Sequence, residues 1–504
     1  MDCVEIKTAE KFRQYTDPET FERIKEMSTV SEMWKSCLNN YSDLIAIEDG
    51  EGKYTYRDIE AYASKIRANI KDNIEGRNKR IALISTNSIN FVAAYLAIVT
   101  LGHSAIIIPP QLDEKSIFGI CLGYGAAMLL YENSFLGKVT LAASKVKAAE
   151  ITSDYDKTAE AVDCESNDEC MLMFTSGTTG KSKAAILSNR AVMAGTVNGC
   201  YGYKDVFNQR YILVLPLSHV FGIIRNLMTS LYTGSDLYIC RDNKNMFRDI
   251  ASFRPNILVT VPAIAELALT LSNQFQKNML GPDLKTIIAG AAAVAPFLIS
   301  EYKKLGINMC AGYGLTESAN LVSGNPESDR KPESVGLPYP HQTLRVVDGE
   351  LWIKGDNMMD GYAGETDDGF TEDGWFRTGD LVRFDEDGYL YITGRTKEII
   401  ILSNGENISP AEIETVFNRI PFVQDSQVFE DVSESGSHFL SLEIVPRSSE
   451  LKDIPLEERG SYMMEELNAV NATLPTYQRV SKIVIRDTDF ERSPSMKIVR
   501  YKKC

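Results

Sequence analysis

Between residues 80 and 110 the chain alternates strand, helix and strand at short intervals. Arg80 to Ser85 is a compact apolar run, Ile89 to Thr100 has helical length, and Ser104 to Ile108 is a second apolar run. Two strands joined by a helix lie parallel, and a parallel sheet must be covered on both faces. The unit therefore predicts an α/β fold. The longest apolar stretch, Phe91 to Pro110, falls in the same region, but Gly102, His103 and Ser104 interrupt it. It reads as a buried helix followed by a strand, not as a membrane span.

Upstream, Thr55-Tyr56-Arg57-Asp58 leads into Ile59, Tyr62, Ala63, Ile66 and Ile70, the spacing of an amphipathic helix on a core. Residues 111 to 165 read as more α/β structure. A chain of 504 residues exceeds one hydrophobic core, so two or more domains are expected. The formal net charge of -16 argues against nucleic acid or an anionic membrane as the main partner. Nine cysteines are scattered without C-x-x-C pairs or zinc spacing, which suits reduced thiols in the cytoplasm. Met1 to Tyr15 is charged and mixed, without the apolar core of a signal peptide.

Residues 171 to 185 carry the first chemical signal. The strand Met171 to Phe174 stops at Thr175-Ser176-Gly177-Thr178-Thr179-Gly180, and Lys181 and Lys183 follow. The glycines let the backbone turn close to an oxyanion. Hydroxyls and free amide N–H groups then surround phosphate oxygens, and Lys183 neutralises them. An ordinary serine–threonine turn is the plain alternative. A Walker loop is excluded, because Thr175 stands where its first glycine is required.

The stretch resembles the signature of the adenylate-forming, AMP-binding superfamily, and is closest to the acyl-CoA synthetases. Ser182 and Ala184 replace the proline and glycine usual there. Further motifs follow in order. In Ala311-Gly312-Tyr313-Gly314-Leu315-Thr316-Glu317-Ser318, Gly312 and Gly314 clear space and Tyr313 offers a face to adenine. Thr316 is suited to the α-phosphate, and Glu317 is a hard oxygen ligand for Mg²⁺. Gly290, Ala291 and Ala292, after a short strand, lie where relatives approach the adenine ring. Trp375 to Asp380 resembles the ribose motif, with Asp380 accepting from the hydroxyls.

The resemblance also implies the mobile parts. Gly394-Arg395-Thr396-Lys397-Glu398 resembles the hinge, with Arg395 reaching ribose or phosphate and Lys397 absorbing the rotation. Gly405 would line the thiol channel. Ile401 stands where some relatives carry a phosphate-contacting lysine. Lys497 falls at the adenylation lysine, although Met496 precedes it instead of glycine. Lys181, Lys183 and the cations from Arg500 to Lys503 are candidates for the 3′-phosphate of coenzyme A.

His219, Phe221, Gly222, Arg225, Ala311 and Gly312 map onto the acyl pocket. His219 sits where acyl-CoA synthetases carry a mobile histidine beside the substrate carboxylate. No aspartate between Ser218 and Arg225 is present to hold an α-ammonium, so an acid without an α-amino group is implied. A buried cation at Arg225 needs a partner. Two readings stand: a polar or anionic tail of the substrate, or a neighbouring acid, which is preferred.

The implied architecture is a large multi-subdomain α/β domain over residues 1–394, with a small antiparallel β-barrel or sandwich over about 335–394. A hinge at 395–397 and a small mobile α+β lid over 398–504 complete it. The implied activity joins a carboxylic acid to ATP with Mg²⁺, forming acyl-AMP and pyrophosphate, and then passes the acyl group to coenzyme A. An acyl carrier protein is the alternative acceptor, although the chain ends seven residues after Lys497 without a fused carrier. A nucleotide-binding protein without catalysis is the alternative of another class, and Glu317 and Lys497 count against it.

Overall fold

A computed structural model describes residues 3–6, 9–175, 183–365, 368–401, 407–432, 438–492 and 498–500. Two large sheets dominate. The first has the order Lys147–Glu150, Met128–Tyr131, Arg80–Ile84, Ser104–Ile107, Glu169–Phe174, Ala184–Ser188. All its pairs are parallel except the last, which is an antiparallel hairpin. The expected strand–helix–strand unit forms its centre. Its helix, Ile89–Thr100, is buried on almost every side, and no described helix is long and apolar enough to cross a membrane.

Burial on both faces explains why Ile81 to Ile84 and Ala105 to Ile107 are continuously apolar. Each fully buried aliphatic side chain there contributes about 1.5–3 kcal/mol. The helix Tyr56–Asn73 packs on Ile89–Thr100 through Ile59, Ala63, Ile66 and Ile70. A capping box starts it: the Asp58 N–H donates to Thr55 Oγ1 at 3.1 Å and the Thr55 N–H to Asp58 Oδ2 at 2.9 Å.

The second sheet has nine strands. Its parallel centre comprises Ile45–Glu48, Asp236–Ile239, Arg210–Leu213, Ile257–Thr260, Thr286–Ala289 and Asn308–Tyr313. Antiparallel strands Lys53–Thr55, Ser323–Gly324 and Leu337–Pro338 finish its ends.

The β-rich part is a five-stranded antiparallel sheet of Cys3–Ile6, Gln342–Val347, Glu350–Gly355, Phe376–Phe384 and Leu390–Arg395. Beyond Arg395, the strands Val423–Val432, His438–Pro446 and Lys482–Ile485 form a separate sheet with helices Pro410–Phe417 and Arg459–Thr473. Phe417, Leu442, Ile444 and Leu467 give this part its own core.

Candidate active site

Several parallel strands end at one cleft. Glu169–Phe174 runs into Thr175, Thr286–Ala289 into Gly290, and Asn308–Tyr313 into Gly314. In open α/β sheets, ligands bind beyond such carboxyl ends. At the first end, the Thr175 N–H donates to the Lys183 carbonyl at 2.8 Å, closing the base of the predicted phosphate loop. Ser176, Gly177, Thr178, Thr179 and Gly180 lie outside the described residues, as do Gly405 and Lys497.

A segment that the sequence reading passed over lies along the outer strand Ala184–Ser188. Tyr362 bridges to Ala185, and the Ile186 N–H donates to the Gly361 carbonyl at 2.9 Å. Gly361, at φ +125°, takes a conformation that favours glycine. Lys183 Nζ lies 4.6 Å from the centre of the Tyr362 ring. The Tyr362 hydroxyl donates to Glu317 Oε1 at 2.5 Å, so this phenol links the loop exit to the predicted metal ligand. The signal available in the sequence was the Gly361-Tyr362 pair just past the strand Glu350–Gly355.

The turn that carries Glu317 is tightly determined. A Cβ on Gly314 would stand 1.3 Å from the Asn320 carbonyl oxygen, so only glycine fits. Thr316–Ser318 is a single 3₁₀ turn, followed by Ala319 and Asn320 at φ +46° and +79°. Non-glycine residues at positive φ store strain and concentrate at functional sites. Ala291 is another, at φ +66°, and Ala291 and Ala292 are exposed just beyond Gly290. A Cβ on Gly290 would lie 3.3 Å from the Phe221 ring and 3.4 Å from the Gly312 carbonyl oxygen. The structure therefore brings Gly290, Phe221 and Gly312 to one point.

His219 is half-buried in the turn that opens the next helix; its N–H donates to the Pro216 carbonyl at 3.1 Å, and its own carbonyl accepts from Ile223 at 3.0 Å. Gly222 is required there, since a Cβ would meet the Pro216 oxygen at 2.3 Å. The helix Phe221–Met228 is a π-helix, a form that often marks functional sites. Asn226 Nδ2 donates to the Ile212 carbonyl at 3.0 Å, fastening the helix to the sheet, and Thr229 Oγ1 donates to the Ile224 carbonyl at 3.2 Å at its end. Ala311 is buried in the strand before Gly312.

Asp380 is 2% exposed and doubly held. The Tyr313 hydroxyl donates to Oδ2 at 2.6 Å, and Arg395 Nε lies 2.7 Å from Oδ1. Burial, then the Asp380 charge, pushes the Tyr313 phenol well above its ordinary pKa, so it stays a donor. Burial opposes the Arg395 cation, but Asp380 and Glu398 more than offset it and raise its pKa. Arg395 thus reaches the candidate ribose acid itself. Lys397 is exposed in the short 3₁₀ turn Thr396–Glu398.

Two sequence-based readings need correction. Arg500 makes two contacts with Glu414, at 2.8 and 2.6 Å, and a third with Glu398 at 3.0 Å. Its charge is compensated by carboxylates, which removes it from the candidates for a coenzyme A phosphate. Arg225 has no acidic partner among the described residues, contrary to the preferred reading.

A family model described as AMP-binding enzyme matches residues 34–363, and one described as AMP-binding enzyme C-terminal domain matches 397–503. The long-chain-fatty-acid–CoA ligase FadD15 of Mycobacterium bovis is 29% identical over 350 residues, 59% of this chain. That alignment spans 57% of the mycobacterial enzyme. The 4-coumarate–CoA ligase-like 6 of Arabidopsis thaliana is 27% identical over 475 residues, 83% of this chain and 80% of that protein. Among solved structures, the anthranilate CoA ligase AuaEII in complex with anthranoyl-AMP is similar in fold, with a TM-score of 0.81 at 20% identity and 97% coverage of both chains. ATP-bound MatB from Rhodopseudomonas palustris has a TM-score of 0.79 at 23% identity, over 93% of this chain and 97% of that one. With both family models matched in order across most of its length, the chain belongs to the AMP-binding enzymes.

Proposed function

We propose that the chain is an acid–thiol ligase that activates a carboxylic acid lacking an α-amino group and transfers it to coenzyme A. The observation that carries this reading is the convergence of Gly290, Gly312, Tyr313, Glu317, Asp380 and Arg395 at the strand ends. The Gly290 turn and the Tyr313 ring are the surfaces offered to the adenine, and Asp380 retains lone pairs for ribose hydroxyls beside its bonds to Tyr313 and Arg395. The loop closed by Thr175 and Lys183 holds the phosphates.

Mg²⁺ fits the donor set. Among the described residues no three His, Cys, Asp or Glu side chains cluster as a protein cage. Glu317 offers a single carboxylate with one oxygen already oriented by Tyr362. That suits a cation bound mainly through phosphates and water. When bound, Mg²⁺ neutralises the triphosphate charge.

In the first half-reaction the substrate carboxylate attacks the α-phosphorus, the bond to the β-phosphate oxygen breaks, and pyrophosphate leaves. Lys497 stabilises the charge developing there, Thr316 donates to the α-phosphate, and His219 borders the carboxylate. In the second, the coenzyme A thiolate attacks the acyl carbonyl and AMP leaves. The two steps need different groups around one reacting centre. A small domain over 398–504 rotating about 395–397 on the body 1–394, with Lys397 as pivot, supplies both and brings Gly405 to the thiol channel.

The relatives' names cover long-chain fatty acids, 4-coumarate and indoleacetate, so kinship alone does not choose the acid. ATP–pyrophosphate exchange over a panel of acids, followed by thioester formation with coenzyme A, tests the reading. Acid-dependent exchange with product only when coenzyme A is added is expected. Nucleotide binding without exchange from any acid would overturn it, and transfer to a carrier protein alone would replace the acceptor.

A further inference from the structure

Arg225 is the most unusual charged residue of the described chain. It is 0% exposed, and Nε, Nη1 and Nη2 have no partner at good hydrogen-bond geometry among the described residues, the nearest polar groups being the neutral phenols of Tyr203 and Tyr211. Its surroundings are aromatic. The guanidinium carbon lies 5.1 Å from the centre of the Tyr203 ring, and the phenols of Tyr203, Tyr211 and Tyr339 are the groups that act on it. These phenols stay neutral: burial raises the pKa of each. The ring face offers a weak attraction, which does not replace the hydration lost by a buried cation. The Tyr211 hydroxyl and Asn226 Oδ1 are buried without partners as well.

The position of this cation ties it to the cleft. Phe221 and Arg225 are four residues apart on one helix, hence one above the other along nearly the same face. Phe221 meets Gly290 at the cleft, and Arg225 lies one turn deeper. From the other side, Cys310 senses the Arg225 charge and is two residues before Gly312, on the same face of its strand. The Tyr339 hydroxyl abuts Gly324, which pairs with Gly312. The guanidinium therefore stands behind the Gly290–Gly312 junction, one helical turn beneath the Phe221 ring and closed over in the unliganded chain.

We propose that Arg225 is the counter-ion for a second carboxylate, so that the substrate is a dicarboxylic acid whose far end pairs with Arg225 while the near end is activated. This rests on the carboxylate-activating reading above. A guanidinium presents a planar fork of donors matched to a carboxylate, and neutral phenols around it leave the charge to be balanced by the ligand.

The test uses the whole enzyme in ATP–pyrophosphate exchange with matched pairs of straight-chain monocarboxylic and α,ω-dicarboxylic acids over a range of lengths. For at least one length the diacid should exceed the monoacid in kcat/KM by about thirtyfold or more, the scale of a buried charge pair made or lost. Arg225→Met should abolish or invert that preference, and Arg225→Lys should restore part of it. Unliganded Arg225→Met should melt at or above the wild-type temperature, because an uncompensated buried charge is removed. Should the variants fail to fold, the wild-type comparison decides alone. Preference for the monoacid at every length would overturn the proposal, as would an unchanged preference with a lowered melting temperature in Arg225→Met. If no acid supports exchange, the activity reading fails. Calorimetric titration of wild type and Arg225→Met with the diacids then decides the Arg225 contact, and equal or absent binding overturns it.

Discussion

Replacing Tyr362 with phenylalanine removes the phenol's bond to Glu317 and keeps the ring. The ring stays under Lys183, at 4.6 Å from its centre, while the 2.5 Å hydrogen bond to Glu317 Oε1 is lost. Hydrogen bonds to charged groups contribute about 1.5–3 kcal/mol. Glu317 is only half-buried, so water takes over part of the lost interaction and the lower end applies. About 1.5 kcal/mol corresponds to roughly tenfold in rate or affinity. The expected result is a tenfold fall in ATP–pyrophosphate exchange at limiting Mg²⁺, partly recovered when Mg²⁺ is raised. Tyr362→Ala also removes the ring face from Lys183, worth about 0.5–2 kcal/mol more, or roughly another 2- to 30-fold. Thermal melting of both variants separates this from unfolding. Exchange within twofold of wild type for Tyr362→Phe at limiting Mg²⁺ refutes the role given to the bond. Equal activity of the two variants refutes the role given to the ring.

Gly314→Ala should lower exchange by about 100-fold or more, since a Cβ 1.3 Å from a backbone oxygen must displace the Glu317 turn by an ångström or so; wild-type exchange in the variant would contradict the geometry. Lys497→Ala should slow adenylate formation by about 10²–10³-fold while sparing thioester formation from supplied acyl-adenylate; equal loss in both assays removes that assignment. His103 is buried and accepts the Lys79 N–H at Nδ1, and burial, then Arg77 and Lys79, holds its pKa down to about 4. The unfolded chain, with a pKa of about 6.5, binds more protons between those values, so this stability is present above pH 6.5 and is lost as pH falls towards 4. Urea denaturation at several pH values should show that loss, with a ceiling of about 3–4 kcal/mol, and His103→Gln should flatten it; an unchanged slope excludes His103 as the cause.

Where a segment's periodicity determines its structure, the sequence was a faithful guide. The helix Ile89–Thr100 and the strands on either side appear where their apolar runs place them, because parallel strands buried on both faces leave little choice of residue. The helix Pro410–Phe417 likewise begins at its proline. The N-terminal strand Cys3–Ile6 was not legible, since it pairs with Gln342–Arg345 across most of the chain and only a distant edge makes it a strand. The π-helix was also invisible: Phe221–Met228 has an ordinary apolar helical composition, and its extra residue per turn is imposed by anchors such as Asn226 on the Ile212 carbonyl.

Motif positions named residue types but not which charges were already balanced. Asp380 and Arg395 were read as two separate contacts for the nucleotide, yet they face each other across paired strands and form one unit with Tyr313. Arg500 was read as available and is held by Glu398 and Glu414. For Arg225 a substrate anion and a neighbouring acid were both open, with the acid preferred, and no acid lies beside it among the described residues. A cation compensated within the protein can orient a ligand, but it brings little uncancelled charge to one. A buried cation without compensation disfavours the empty site and favours an anion that reaches it. Arg225 therefore selects for charge more strongly than the Asp380–Arg395 pair does, and the acid's far end, not its activated carboxylate, is where discrimination between substrates should concentrate.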